Sequence, residues 1–137
     1  MLWAGGLLGV SFVAAPAKFW APSLTLPVAL DVGRHTFQFF NKLELVALAV
    51  LTLLVFRATG NWVTRAITVV LGMLLLVQTA WLLPLLDQRV TLILRSEIPA
   101  ESHLHLVYIG CDVCRLILLL ALPWRLIPVT QNQSDQP

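Results

Sequence analysis

The sequence carries little charge. Asp, Glu, Lys and Arg make up 12% of its 137 residues, about half the share of roughly 25% that is usual in soluble domains, and 58% of the residues are hydrophobic. A soluble domain of this length cannot bury so much apolar surface, so the composition indicates an integral membrane protein whose first partner is the lipid bilayer. The formal net charge of +2 comes without a basic run. We therefore expect no nucleic-acid partner.

Cysteine is also scarce. The two cysteines, Cys111 and Cys114, lie inside one apolar segment, which excludes an extracellular disulfide framework. Their CxxC spacing is found in membrane thiol oxidoreductases linked to quinones, but those enzymes use a second cysteine pair, and this sequence contains none. A membrane thiol redox enzyme using Cys111 and Cys114 stays an alternative, whereas buried cysteines more often act as small hydrophobic residues.

Long apolar segments are what the sequence has instead. Four of them approach or exceed the roughly 20 residues that cross a hydrocarbon core of about 30 Å. Charged or interfacial aromatic residues flank the last three, as at the ends of transmembrane helices. We predict an all-α, integral membrane four-helix bundle that forms one domain over residues 1–127, followed by a polar, disordered tail over 128–137. The predicted spans are residues 2–20, 36–56, 66–86 and 104–124.

The connections give the expected topology. Pro22, Pro27 and Gly33 predict an extended, turn-rich crossing between the first two spans, and residues 87–96 predict a separate interfacial helix. An even number of spans places both termini on the side of the short 57–65 loop. Lys and Arg are too evenly divided between the two faces to fix the orientation in the membrane. We expect the protein in a plasma or inner membrane. The small residues at 15–17 leave a cleaved signal peptide open, although no positively charged segment precedes them.

The few charges inside the spans converge on one depth. Glu44, Asp112 and Arg115 all lie near the middle of their spans, with Gln78 near the middle of the third. An ionised side chain at mid-bilayer costs about 2.5–3.5 kcal/mol, so we expect these residues to pair. Asp112 and Arg115 are i,i+3 neighbours on one helix, and Glu44 must reach across a helix interface. The cluster predicts binding or translocation of a small polar or protonatable ligand, or a proton relay; the alternative is a purely structural network in an accessory membrane subunit.

The remaining polar residues predict interfacial positions. His35 and His103 lie at the entries of the second and fourth spans, and Lys42 can extend its ammonium to the membrane surface. Because His103 and His105 point to different sides of a helix, we predict neither a metal site nor a haem, and no cofactor. We expect no enzymatic activity, and assembly as a homo-oligomer or in a larger membrane complex stays open.

A weak internal repeat relates the two halves of the chain. An offset of 68 residues places Pro16 on Pro84, His35 on His103 and Glu44 on Asp112. Each half would hold two spans, so the repeats would be parallel and related by a two-fold axis along the membrane normal.

Three short motifs resemble the transmembrane protein 205-like domain family of small multi-pass proteins. They are residues 11–16 (SFVAAP), 33–37 (GRHTF) and 81–84 (WLLP), together with a histidine at the entry of the fourth span, either His103 or His105. The resemblance covers most of residues 2–125. It implies a four-span bundle without an assigned enzyme activity and supplies no catalytic residue. The chain differs from the family in starting almost inside its first span, which leaves the register of that helix open.

Overall fold

The computed structural model describes the backbone of residues 1–58, 61–95, 97 and 103–126, with the side chains of this part up to residue 123. It contains four helices, each with a stretch long and apolar enough to cross a membrane, and the described residues include no strand. The all-α, four-helix architecture is therefore confirmed. The predicted disordered tail, residues 128–137, lies outside the described residues. The helices are α1 (Leu2–Trp20), α2 (Leu26–Ala58), α3 (Trp62–Leu94) and α4 (Leu104–Leu126).

The helices form a bundle in which α4 packs against α1 and α3, and α3 packs against α2. A hydrophobic core of Ala4, Leu7, Leu71 and Leu119 joins α1, α3 and α4. Large apolar side chains also cover the outer surface of the bundle, for example Leu54, Met73 and Ile117, each more than half exposed. An exterior this apolar is not that of a soluble monomer, since such proteins rarely expose large contiguous apolar patches.

Helix α2 is longer than the sequence predicts. It begins at Leu26, ten residues before the expected start, and continues for 33 residues. The prediction of an extended crossing from Pro22 to Gly33 is therefore wrong for residues 26–33. Pro27 is the second residue of the helix, where a missing N–H breaks no intrahelical hydrogen bond. Gly33 is buried and allows a close approach by the side chain of Lys18.

Helix α3 also continues past its expected end, and the prediction of a separate interfacial helix over residues 87–96 is wrong. The helix runs without a break from Trp62 to Leu94, through a π-helical segment at Gln78–Leu82. Pro84 follows directly after that segment. Proline clashes with the carbonyl four residues earlier in a regular α-helix, and the wider π turn accommodates it without ending the helix.

The same arrangement occurs in α1, where a π-helical segment at Leu8–Ala14 precedes Pro16. The offset of 68 residues carries Gln78–Leu82 onto positions inside this segment. The packing of α1 on α4 and of α3 on α2 is also what a parallel two-fold repeat would produce. These observations agree with an internal repeat, which stays a prediction.

Candidate functional site

The predicted charge cluster lies at the centre of the bundle. Glu44, Asp112 and Arg115 are each 1% exposed. The Arg115 guanidinium lies 2.9 Å from Glu44 Oε1 through Nη1 and 2.5 Å from Asp112 Oδ1 through Nη2. The expected pairing of Asp112 with Arg115 along α4, and the reach of Glu44 across from α2, are both present. One guanidinium therefore bridges carboxylates from two helices, a geometry that arginine provides and lysine does not.

The other two helices contribute neutral donors to the same cluster. Gln78 Nε2, from the π segment of α3, donates to Asp112 Oδ1 at 2.8 Å and to the Tyr108 carbonyl at 3.3 Å. Trp3 Nε1, from α1, donates to Glu44 Oε1 at 3.1 Å. Sequence reasoning predicted Gln78 but missed Trp3, because a tryptophan close to the start of a span is usually an interfacial anchor. With these donors, all four helices meet at the cluster.

The cluster does not use all of its hydrogen-bonding capacity. Glu44 Oε2, Gln78 Oε1 and Arg115 Nε are buried and make no hydrogen bond within the described part of the chain. Most buried polar atoms in folded proteins have a partner, and a network that only locks helices together gains from satisfying every atom.

A second polar layer lies between the extended ends of α2 and α3. Arg34 contacts Asp31 at 2.8 Å and Asp87 at 3.6 Å, and donates to Thr91 Oγ1 at 3.2 Å. Gln38 Nε2 donates to Asp87 Oδ1 at 3.0 Å. These contacts hold together the two helical extensions that the sequence did not predict. No single residue in this layer signals it, because its members face each other only once both helices are extended.

A cavity of about 520 Å³ connects this layer with the charge cluster. Its volume falls within the range of roughly 300–1,000 Å³ that is usual for small-molecule sites. Charged or titratable side chains occur at its two ends: Lys18, Arg34, Asp87, Arg89 and His105 at the outer end, and Asp112 at the inner end. Ser11 and Gln38 add polar groups between the two ends. Apolar walls lie between the ends, supplied mainly by Phe12, Phe19, Leu30, Phe37, Leu83, Leu86, Val90 and Ile109.

Asp112 belongs to both the cluster and the cavity. Its contacts with Arg115 and Gln78 all involve Oδ1. Asp112 also lines the inner end of the cavity, and its Oδ2 takes no part in the contacts with Arg115 and Gln78. Next to it, Tyr108 packs edge-on against Phe37 with ring centroids 5.5 Å apart. The arrangement presents a buried acceptor to a molecule that enters along the apolar walls.

The predicted interfacial residues are all exposed, but one lies elsewhere along its helix than expected. His35 is inside α2, not at its start, because that helix begins earlier; its Nε2 lies 3.8 Å from Asp31 Oδ1. His103 precedes α4, as predicted, and its carbonyl accepts a hydrogen bond from Val107. Lys42 lies on the outer surface of α2. His105, which was not assigned to the candidate site, lines the cavity.

The cysteine pair lies away from the cavity. Cys111 is half-buried and Cys114 is exposed, and neither lines the cavity, although both are on the same helix as Asp112 and Arg115. Among the described residues, no group of three or more His, Cys, Asp or Glu side chains is arranged to hold a metal ion.

Comparison with protein-family models, with curated protein sequences and with solved structures finds no match to this chain. The resemblance to the transmembrane protein 205-like family therefore stays a prediction based on short motifs.

Proposed function

We propose that this chain is an integral membrane protein that binds a small amphipathic molecule in the cavity between its four helices. In this proposal the helices cross the bilayer, and the ligand enters from the face that carries the longer connections, 21–25 and 95–103. A protonatable or hydrogen-bond-donating group of the ligand contacts Asp112. The observation that carries the proposal is the cavity itself, which leads from a charged outer end to a buried carboxylate through apolar walls.

Binding accounts for the geometry better than translocation does. The cavity lies on one side of the charge cluster, and the buried residues Leu71 and Leu119, seven residues along α3 and α4 from Gln78 and Asp112, pack on the other side. Within the described residues, the lining of this cavity goes no further into the bundle than Asp112, so the cavity ends at the cluster. We therefore place binding first and transport second.

The structural alternative is supported by the direct pairing of Arg115 with two carboxylates, since such pairing alone would lower the cost of burying charge. It does not explain why a cavity reaches Asp112. The redox alternative is weaker, because the cavity reaches neither Cys111 nor Cys114.

Thiol labelling in lipid vesicles tests the proposal. The background is Cys111→Ser with Cys114→Ser, so that an introduced cysteine is the only thiol. Ile109→Cys places a thiol on the cavity wall, and Val107→Cys, two residues away on the same helix, places one on the exposed outer surface. A charged, water-soluble thiol reagent added to one face should modify Ile109→Cys, and the Val107→Cys control should stay unmodified in lipid.

Occupancy is tested with the same two variants and a neutral amphiphile, decanol. Decanol should slow the modification of Ile109→Cys in proportion to its concentration. Equal protection of both variants would show general partition into the bilayer, and no protection of Ile109→Cys would contradict a binding cavity. Failure of the reagent to reach Ile109→Cys from either face would favour the structural network.

A further inference from the structure

The charges at the outer end of the cavity do not balance one another. Arg34 and Asp87, which both line this end, contact each other and share further partners in the second polar layer. Lys18 and Arg89 line the same end, and no carboxylate of the described residues lies within ion-pair distance of either. Two cations therefore face the outer end of the cavity without an acidic partner in the described part of the chain.

The position of Lys18 is built by its neighbours. Its Nζ lies 5.1 Å from the ring centroid of Phe19 and 5.6 Å from that of Phe37, which are cation–π distances. A Cβ atom on Gly33 would overlap the Lys18 ammonium, so the absence of a side chain at Gly33 gives the ammonium its place. Phe19, Gly33 and Phe37 all line the cavity. The ammonium is thus held against the cavity wall by one glycine and two aromatic rings.

The two ends of the cavity differ in the sign of their charge. Lys18 and Arg89 make the outer end positive, whereas the inner end presents the carboxylate of Asp112. At a helical rise of about 1.5 Å per residue, Arg89 lies roughly 16 Å along α3 from Gln78, which contacts Asp112. The apolar walls of the cavity lie between Arg89 and Asp112. A ligand that satisfies both ends is therefore elongated, with an anionic group at one end and a hydrogen-bond donor at the other.

We propose that the cavity selects a small anionic amphiphile, with its carboxylate or phosphate at the outer end near Lys18 and Arg89, its apolar chain along the walls, and any hydrogen-bond donor it carries at the far end of that chain toward Asp112. This inference rests on the proposed binding function and names the ligand class. It requires that an anionic amphiphile bind better than a neutral or cationic one of the same chain length. The preference must come from the cations at the outer end, not from the bilayer.

Decanoate, decanol and decyltrimethylammonium share a chain and differ in head group, and they test the inference through protection of Ile109→Cys in vesicles. Decanoate should protect at a lower concentration than decanol, and the cation should protect least. Lys18→Gln and Arg89→Gln should each weaken protection by decanoate about five-fold, the effect of losing one partly exposed ion pair, and leave protection by decanol unchanged. Arg95→Gln removes an exposed cation beside the cavity and should leave both unchanged.

Gly33→Ala adds a test that keeps every charge. The new methyl group must displace the end of the flexible Lys18 side chain, which costs little stability but moves the ammonium from the cavity wall. The preference for decanoate over decanol should fall as it does in Lys18→Gln.

The outcomes separate the two proposals. If neither decanoate nor decanol protects Ile109→Cys, the binding function fails. If both protect equally, or if Lys18→Gln, Arg89→Gln and Gly33→Ala leave the ratio between them unchanged, the cavity binds amphiphiles without selecting an anion and the inference is overturned. Because each ratio is compared between variants in the same lipid, partition of the probes into the bilayer cancels.

Discussion

At the scale of single residues, Arg115 is the centre of the molecule. Among the described residues it is the largest side chain that is fully buried, and it contacts carboxylates from two helices. In such a network, loss of the cation leaves Glu44 and Asp112 buried without a counter-charge, whereas loss of one carboxylate leaves a balanced pair. Arg115 should therefore be the least replaceable member of the cluster.

A double-mutant comparison checks this asymmetry. Arg115→Leu should lower the free energy of unfolding by about 3–5 kcal/mol, the usual cost of breaking a buried ion pair from one side. Asp112→Leu combined with Arg115→Leu should be less harmful than Arg115→Leu alone, because it removes one of the stranded carboxylates. The measurement is reversible unfolding in mixed micelles, with Arg57→Leu, an exposed arginine, as the control. Additive effects of the two substitutions would show that the residues are not partners.

The Trp3 indole allows a second test that leaves every charge in place. Trp3→Phe keeps an aromatic ring but removes the N–H that Glu44 accepts. A hydrogen bond to a charged group contributes about 1.5–3 kcal/mol, so the variant should be destabilised by that order in the same unfolding assay. Trp81→Phe changes a tryptophan that is more than half exposed and should have little effect. Equal effects of the two variants would mean that ring size, not the hydrogen bond, is what matters at Trp3.

At the scale of helices, polar side chains at intermediate depth connect α2 to α3. Asn41 Nδ2 donates to Thr79 Oγ1 at 2.9 Å, and Thr79 Oγ1 donates to the Leu75 carbonyl at 2.7 Å. Thr79 lies inside the π segment, where regular helical hydrogen bonding is interrupted. The hydroxyl therefore both compensates the local backbone and joins the neighbouring helix.

The contribution of this contact can be measured as a coupling energy. In a cycle of Asn41→Leu, Thr79→Val and the double variant, the coupling should be about 0.6 kcal/mol and no more than about 1.7 kcal/mol, the range of interhelical hydrogen bonds in membranes. A second cycle of Thr52→Val with Thr79→Val gives the reference for two residues that do not contact each other. Thr52 is a half-buried position on α2, nearer the other end of the bundle. A coupling no larger than in this reference would show that the contact does not hold α2 and α3 together.

The helices also show what the sequence could and could not predict. Their number, the ends of α4 and the start of α1 follow from hydropathy, because a bilayer fixes the length of an apolar run. The extensions of α2 and α3 do not, because polar residues such as Arg34 and Asp87 look like loop residues until they are paired across an interface. Pro27 indicated an extended crossing, yet it lies in the first turn of α2, and Pro84 follows a π segment through which α3 continues.

At the scale of the whole molecule, the members of the charge cluster could be predicted but the cavity could not. Glu44, Gln78, Asp112 and Arg115 stand out because charged or amide groups are costly in an apolar segment. The cavity, by contrast, is bounded by ordinary apolar residues that differ in no way from those facing outward. It depends on how the four helices that line it pack against one another, which hydropathy does not encode. The place of the Lys18 ammonium also depends on the folded structure, because it lies against Gly33 of the neighbouring helix.

The topology is the prediction on which the direction of ligand entry depends. With four crossings, the connection after α1 and the connection after α3 lie on one face, and the short connection after α2 lies on the other. In the background without Cys111 and Cys114, Ser23→Cys and Glu97→Cys should react with an impermeant thiol reagent from the same side of sealed vesicles. Ala58→Cys should react only from the opposite side. All three positions are exposed, so differences in labelling report sidedness and not burial. Labelling of Glu97→Cys and Ala58→Cys from one side would mean that α3 does not cross the bilayer, and the cavity could then not open toward the face proposed for ligand entry.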